Sequence, residues 1–181
     1  MSRLAISTRE AAPAAAQPLL DAVEKQLGVV PNMYKLLAAS PATLQAVLSF
    51  GGALTRTLDV KTRERIAIAV AQSNGCDYCL SAHTYLGLNL AKLGEAEVAL
   101  NRKGASSDAK ADAAVRFAAK VSLARGKVAD SDVDAVKAAG FSEAQVLEII
   151  AVVAENVLTN LINNVAQTDI DFPAVHAAEA A

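Results

Sequence analysis

From residue 142 onward the chain places an apolar residue every three or four positions, at Val146, Ile149, Ile150, Val153, Val157, Leu161 and Val165. That period belongs to a helix with a continuous apolar stripe, and its length predicts a central core helix over 142–166. The start of this helix is well marked. Gly140 suits the end of a preceding helix, Ser142 and Gln145 fit a capping box, and Phe141 can staple onto Val146 across the cap. Ser131 and Asp134 repeat the capping spacing and are expected to open the helix before it. The same periodicity predicts further helices at about 18–27, 33–39, 41–56, 61–74, 76–93, 95–103, 109–125 and 131–139, with Pro18, Pro31 and Pro41 at expected starts.

An internal echo appears when the chain is shifted by 82 positions, which lays Ile68 to Asn74 over Ile150 to Asn156. It suggests a duplicated helical unit. Under this shift Glu64, Cys76, Cys79 and His83 fall on Val146, Leu158, Leu161 and Val165, so the second copy is expected to carry packing alone. Residues 1–17 and 171–181 are Ala-rich and weakly periodic, and both ends are expected to be loosely held.

Composition sharpens the picture. Aromatic residues make up 4% of the chain and alanine is abundant, which favours helix over sheet. With 181 residues, 53% of them hydrophobic, the chain can build one substantial core but not comfortably two. The expected architecture is therefore all-α, a single compact domain over 1–181 of about eight to nine helices. So Ala-rich and apolar a chain has more apolar helical surface than one small core covers, and a homo-oligomer is expected.

Seventeen basic and nineteen acidic residues are interspersed, for a formal charge of −2, so nucleic acid is not an expected partner. The first ten residues lack the apolar run of a secretory leader. Runs such as Ile66 to Ala71 and Ile149 to Ala154 fall short of the roughly 20 residues that span a bilayer. A soluble, cytoplasmic protein without a membrane partner is expected. In that compartment ordinary thiols stay reduced, so the two cysteines, three residues apart, draw attention as chemistry and not as a structural staple.

The chemistry concentrates between Arg63 and His83. Asn74-Gly75 is a turn signal that ends one helix and starts another at about Cys76. Cys76, Cys79 and His83 are then separated by three and four residues, so the two sulfurs and the imidazole share one helix face. An i, i+3 pair in a first turn can close a disulfide with little movement. Glu64 lies ten residues before Asn74, about 15 Å back along its helix, and His83 lies nine beyond it. If the two helices fold back on each other, Glu64 comes level with His83 and can orient it, giving a relay from Glu64 through His83 to Cys79. Two arguments about the sulfurs pull apart. The helix N-terminus acidifies Cys76 most directly, whereas His83 reaches Cys79.

Other readings compete at each position. Cys76, Cys79 and His83 could be three ligands of a metal with Glu64 as a fourth, but there is no second Cys/His pair, and His176, the other histidine, sits in the tail. Single buried cysteines are ordinarily small core residues. Glu64 alone would be a solvated helix residue, and Tyr78 is either a half-buried aromatic or an accessory to the site. A thioredoxin-like context is disfavoured, because no strand is readable upstream of the pair.

With Glu64, twelve residues to Cys76, three to Cys79 and four to His83, the chain resembles the alkylhydroperoxidase D-like (AhpD-like) branch of the carboxymuconolactone decarboxylase superfamily. The motif-bearing core would cover about residues 40–125. The whole chain resembles the longer peroxidase-related members, whose C-terminal part is similar to Asn163 to Pro173. The resemblance implies an all-helical homo-oligomer and a disulfide-cycling peroxidase working without haem, flavin or bound metal. It implies that Cys79 attacks the hydroperoxide, that Cys76 resolves the sulfenic acid and meets the reductant, and that Glu64 and His83 relay protons. This chain departs from the type member, which has a histidine between the cysteines where Asp77-Tyr78 stand here. The alternatives are a dithiol redox sensor or protein-disulfide exchange partner, and a decarboxylase-type lactone enzyme that kept the fold. The decarboxylase branch uses no such cysteine pair.

Overall fold

A computed structural model describes residues 1–177. Among these residues the chain forms nine helices and no strand: α1 (Gln17–Leu27), α2 (Asn32–Leu37), α3 (Pro41–Leu54), α4 (Val60–Ser73), α5 (Asp77–Asn89), α6 (Glu95–Arg102), α7 (Ala109–Leu123), α8 (Asp130–Ala138) and α9 (Glu143–Ala166). The caps follow the side chains present. Ser40, Asp59, Asp108 and Ser142 each accept a backbone N–H from the first turn of the helix they precede. At α9 the capping box is complete, because Gln145 accepts the Ser142 N–H at 3.0 Å. Phe141 and Val146 are both buried in one cluster, as the staple requires. Ser131 does not open α8. That helix starts one residue earlier, where Asp132 reaches back to the Ala129 N–H at 2.8 Å.

The helix at the centre is α4 and not α9. Ile66 to Ala71 are buried without interruption, so α4 is covered all round, by α5, α6, α7 and α9. Its alanines at 67 and 71 on one face and at 69 on the opposite face let neighbouring backbones come close on both. The 142–166 stripe divides instead into two faces. Val146, Ile149, Val152 and Val153 enter the main core with Ile66, Val70, Phe117 and Val121, whereas Ile150, Leu158, Leu161 and Val165 face outward. The shifted echo is not a repeated unit. α9 runs unbroken through the position where α4 turns into α5, and Leu158, Leu161 and Val165 do not pack inside the chain.

The ends are held more firmly than their composition suggests. The Arg3 N–H bonds the Ala166 carbonyl at 2.6 Å and Ser2 bonds Asp169, which ties the N-terminus to the end of α9. Residues 170–177 lie along α5, with Ile170, Phe172, Val175 and Ala177 packed against the cluster around Ile68, Tyr78 and Leu80. The last four residues of the expected loose tail, 178–181, lie outside the described residues.

Candidate functional site

The site is built on the turn between α4 and α5. Gly75 takes φ +60°, which a side chain would resist, and the Cys76 N–H closes α4 onto the Ala71 carbonyl at 3.0 Å. α5 then begins at once. Cys76 is its N-cap, with extended backbone, and its sulfur accepts the Cys79 N–H at 3.3 Å. The folded-back geometry brings Glu64 level with His83, whose Nδ1 lies 2.9 Å from Glu64 Oε2. Both side chains are partly buried. The sequence spacing thus places Glu64, Cys76, Cys79 and His83 in one cluster.

Both cysteines are free and buried, yet they sit in opposite electrostatic settings. Burial works against a thiolate at Cys79, but a hydrogen bond from Cys76, the charge of His83 and the carboxamides of Asn160 and Asn163 outweigh it and bring its pKa down to about 7. The thiol of Cys76 is pushed far above the ordinary range by its hydrogen bond to Cys79, by burial and by the negative charge of Cys79 and Asp77. The N-terminus of α5 serves both sulfurs, one as cap and one within the first turn, so the groups beyond it decide. These lie on the Cys79 side. Burial alone would lower the His83 pKa, but the charge and hydrogen bond of Glu64, with the charge of Cys79, raise it. His83 therefore remains a proton carrier beside the sulfur.

Residues from α9, none of them a site candidate from the sequence, complete this environment. Asn163 Nδ2 donates to Cys79 Sγ at 3.3 Å, and Asn160 accepts from Asn74 Nδ2 at 2.9 Å, so the turn and the sulfur are both tied to α9. Asn164 donates to the Asn74 carbonyl at 3.0 Å. The signal was present as Asn156, Asn160 and Asn163, polar residues at helical spacing on a face that is otherwise apolar. Glu155 is a second carboxylate in the same region. Its pKa is raised by burial, with Glu64 adding to the effect and His83 and Arg63 opposing it. Glu155 Oε1 stands 2.6 Å from where a Cβ on Gly51 would lie, so the glycine leaves room for it.

A cavity of about 350 Å³ opens in front of these groups. Cys79, His83, Glu64, Arg63 and Glu155 give it a polar end, and Met33, Tyr34, Leu48, Leu86 and Phe172 make much of the rest apolar. Cys76 does not reach it. Tyr78, 5% exposed and so more than half-buried, lines the cavity while its hydroxyl accepts the Met33 N–H at 3.1 Å. Burial holds the phenol neutral by pushing its pKa well above the usual range. Its ring meets Phe172 edge-on at 5.9 Å.

The tail closes the other side of the dithiol. Asp77, between the cysteines, accepts the Ala177 N–H at 2.9 Å and pairs with His176 at 2.8 Å. The Val175 N–H bonds Ser81 at 2.9 Å, and Arg102 and Gln72 hold the carbonyls of His176 and Ala177, each at 2.8 Å. His176 is thus a latch and not a distant tail residue. Among the described residues no group of three or more His, Cys, Asp or Glu side chains is arranged to hold a metal ion.

A model of the carboxymuconolactone decarboxylase family matches residues 41–122, which carry α3 to most of α7 and all four motif residues. An uncharacterized protein of Haemophilus influenzae is 41% identical over 63 residues, 34% of this chain and half the length of that relative. Among solved structures, an uncharacterized peroxidase-related protein of Ralstonia eutropha, described as an alkylhydroperoxidase core, superposes with a TM-score of 0.83 at 27% identity, covering 94% of this chain and 92% of that one. A peroxidase-related protein of Silicibacter gives 0.80 at 26% identity, covering 93% and 91%.

Proposed function

We propose that this chain, whose residues 41–122 match the carboxymuconolactone decarboxylase family and whose fold is similar to the peroxidase-related alkylhydroperoxidase core structures, belongs to the alkylhydroperoxidase D-like branch and is a disulfide-cycling thiol peroxidase. The observation that carries this reading is the placement of Cys79, a sulfur that faces the cavity with the Glu64–His83 pair beside it and the Asn163 carboxamide donating to it, a setting that also lowers its pKa. In the first step the Cys79 thiolate attacks the terminal oxygen of a hydroperoxide. The S–O bond forms, the O–O bond breaks, and the departing alkoxide takes a proton from His83, leaving an alcohol and Cys79 sulfenic acid. Glu64 holds Nδ1, which fixes the imidazole and supports its positive charge.

In the second step the Cys76 sulfur attacks Cys79 Sγ. The S–S bond forms, the S–O bond breaks, and hydroxide leaves with the Cys76 proton as water. An external dithiol returns the pair to thiols. The electrons come from the dithiol, so the proposed cycle uses no haem, flavin or metal cofactor. The proposed setting is the cytoplasm, with no nucleic acid or membrane partner. Exchange with another protein's disulfide is less well supported, because both sulfurs are buried and Cys79 reaches only the cavity, which admits a small dithiol more readily than a folded chain. A decarboxylase-type reaction has no use for a lowered thiol pKa.

Peroxide consumption with dithiothreitol as reductant tests the reading. Turnover should be abolished in Cys79→Ser, and one equivalent of peroxide should remove two hydrogens per chain in the intact mass. A chain that keeps both thiols free after peroxide would overturn it.

A further inference from the structure

One carboxyl group in the cavity has no part in the steps above. Glu155 is the one charged residue that α9 contributes to the lining, beside Val152, Asn156 and Thr159 on the same helix face. Its side chain makes no hydrogen bond and no ion pair with any described residue. Arg63, the one cation besides His83 among the described lining residues, donates instead to the carbonyls of Thr55 and Leu58. Glu64 is taken up by His83 Nδ1. Arg63, Glu64, His83 and Tyr34 are the titratable groups that interact with the Glu155 charge. A half-buried carboxyl without a partner is costly, because burial strips its water and nothing replaces it. Burial accordingly favours its neutral form.

The fold also makes room for this group. A Cβ on Gly51 would stand 2.6 Å from Glu155 Oε1. Gly51 lies inside α3 with ordinary helical backbone, where glycine is a poor helix former and no left-handed turn calls for it. What the missing methyl provides is the space that the carboxyl occupies at the polar end of the cavity.

Resting on the peroxidase reading of this cavity, we infer that Glu155 binds the OOH group of the hydroperoxide. A neutral carboxyl and a hydroperoxide are complementary. The carbonyl oxygen accepts the O–H of the terminal oxygen, and the carboxyl O–H donates to the inner oxygen, which closes a ring of two hydrogen bonds. The O–O bond is then held with its terminal oxygen toward Cys79. No bond of Glu155 is made or broken. The proton that the alkoxide takes comes from His83, whose Nε2 is left for the substrate because Glu64 holds Nδ1. The competing role for Glu155 is that of an anion, a second carboxylate supporting the charge of His83. Glutamine separates the two, since it keeps a donor and an acceptor and carries no charge.

The test compares two reactions of Cys79 in the full, reduced chain, both followed by acid quench and mass: oxidation by cumene hydroperoxide and alkylation by iodoacetamide, which has no OOH group to hold. Glu155→Ala should slow oxidation about 10-fold, as the loss of two such hydrogen bonds would, and leave alkylation at the native rate. Glu155→Gln should be oxidised at close to the native rate. Gly51→Ala should copy Glu155→Ala, because its methyl displaces only the end of a flexible side chain and alanine suits α3. Native oxidation in Glu155→Ala or in folded Gly51→Ala would overturn the proposal. So would oxidation and alkylation slowed together, or a Glu155→Gln chain as slow as Glu155→Ala. A native Cys79 that iodoacetamide alkylates but hydroperoxide leaves reduced would overturn the peroxidase reading, and this inference with it.

Discussion

Cys79 and His83 stand one helical turn apart, and each stabilises the charge of the other. With the Cys79 thiol lowered to about 7, its reactivity should be present above neutral pH and fall away as pH drops through that value. Alkylation rates of Cys79 measured against pH should therefore show a midpoint near 7. In His83→Ala the midpoint should move up toward the ordinary thiol range of about 8.5. Glu64→Gln should act in the same direction, slowing peroxide oxidation roughly 10²-fold or more if the pair works as an acid–base relay. Roles separate by trapping. Cys76→Ser should leave a sulfenic acid on Cys79 that dimedone labels, while Cys79→Ser should label weakly. Strong labelling of Cys76 instead would reverse the two. Glu64 was legible in the sequence because a short turn makes register a matter of counting. Asn163 and Glu155 were not, because nothing local says that a helix some 80 residues later crosses at this point.

Between α4, α6 and the start of α7, Glu97 collects Arg65, Asn101, Ser106 and Ser107 around one buried carboxylate. Burial disfavours its charge, but the serine and asparagine donors outweigh this and hold its pKa at about 2. A carboxylate lowered in the folded state contributes stability that is present above about 4.5 and lost as pH falls toward 2. Glu97→Gln should cost roughly 2–3 kcal/mol in urea unfolding at pH 7, and much less at pH 3. The tail along α5 is a second such device. Phe172 packs on Tyr78 and Tyr85 and walls the cavity. Phe172→Ala should keep the helical fold but raise KM for the hydroperoxide, and a weakened latch should speed alkylation of Cys76. Composition foretold a loose tail because alanine carries little information about docking. What holds these residues is backbone hydrogen bonding to Asp77, Ser81, Gln72 and Arg102, which leaves no periodic trace.

At the scale of the molecule, the family-matched span and the folding unit are different lengths. Residues 41–122 hold the motif, but the core they build is completed by Val146, Ile149, Val152 and Val153 of α9. A fragment ending at residue 125 should therefore lack cooperative unfolding by circular dichroism, while the full chain shows it. The all-α architecture was readable from end to end, since helical periods and caps are local. Which helix is central was not. Apolar period alone favoured α9, but α4 wins the interior because Ile66 to Ala71 are buried without a break and its small alanines admit neighbours on two opposite faces. The excess of apolar positions on α9 does not enter the core but leaves Leu147, Leu158, Leu161 and Val165 exposed.

The Cys76 sulfur is at once the cap of α5 and, in the proposed cycle, a reactant. Drawing it into a bond with Cys79 Sγ takes it from the Cys79 amide, so each turnover would unfasten and refasten the end of a helix. The Cys79 amide proton becomes a reporter of redox state. Its exchange with deuterated solvent should be slow in the dithiol form and faster in the disulfide, and the residues of the tail held by Asp77 should follow it.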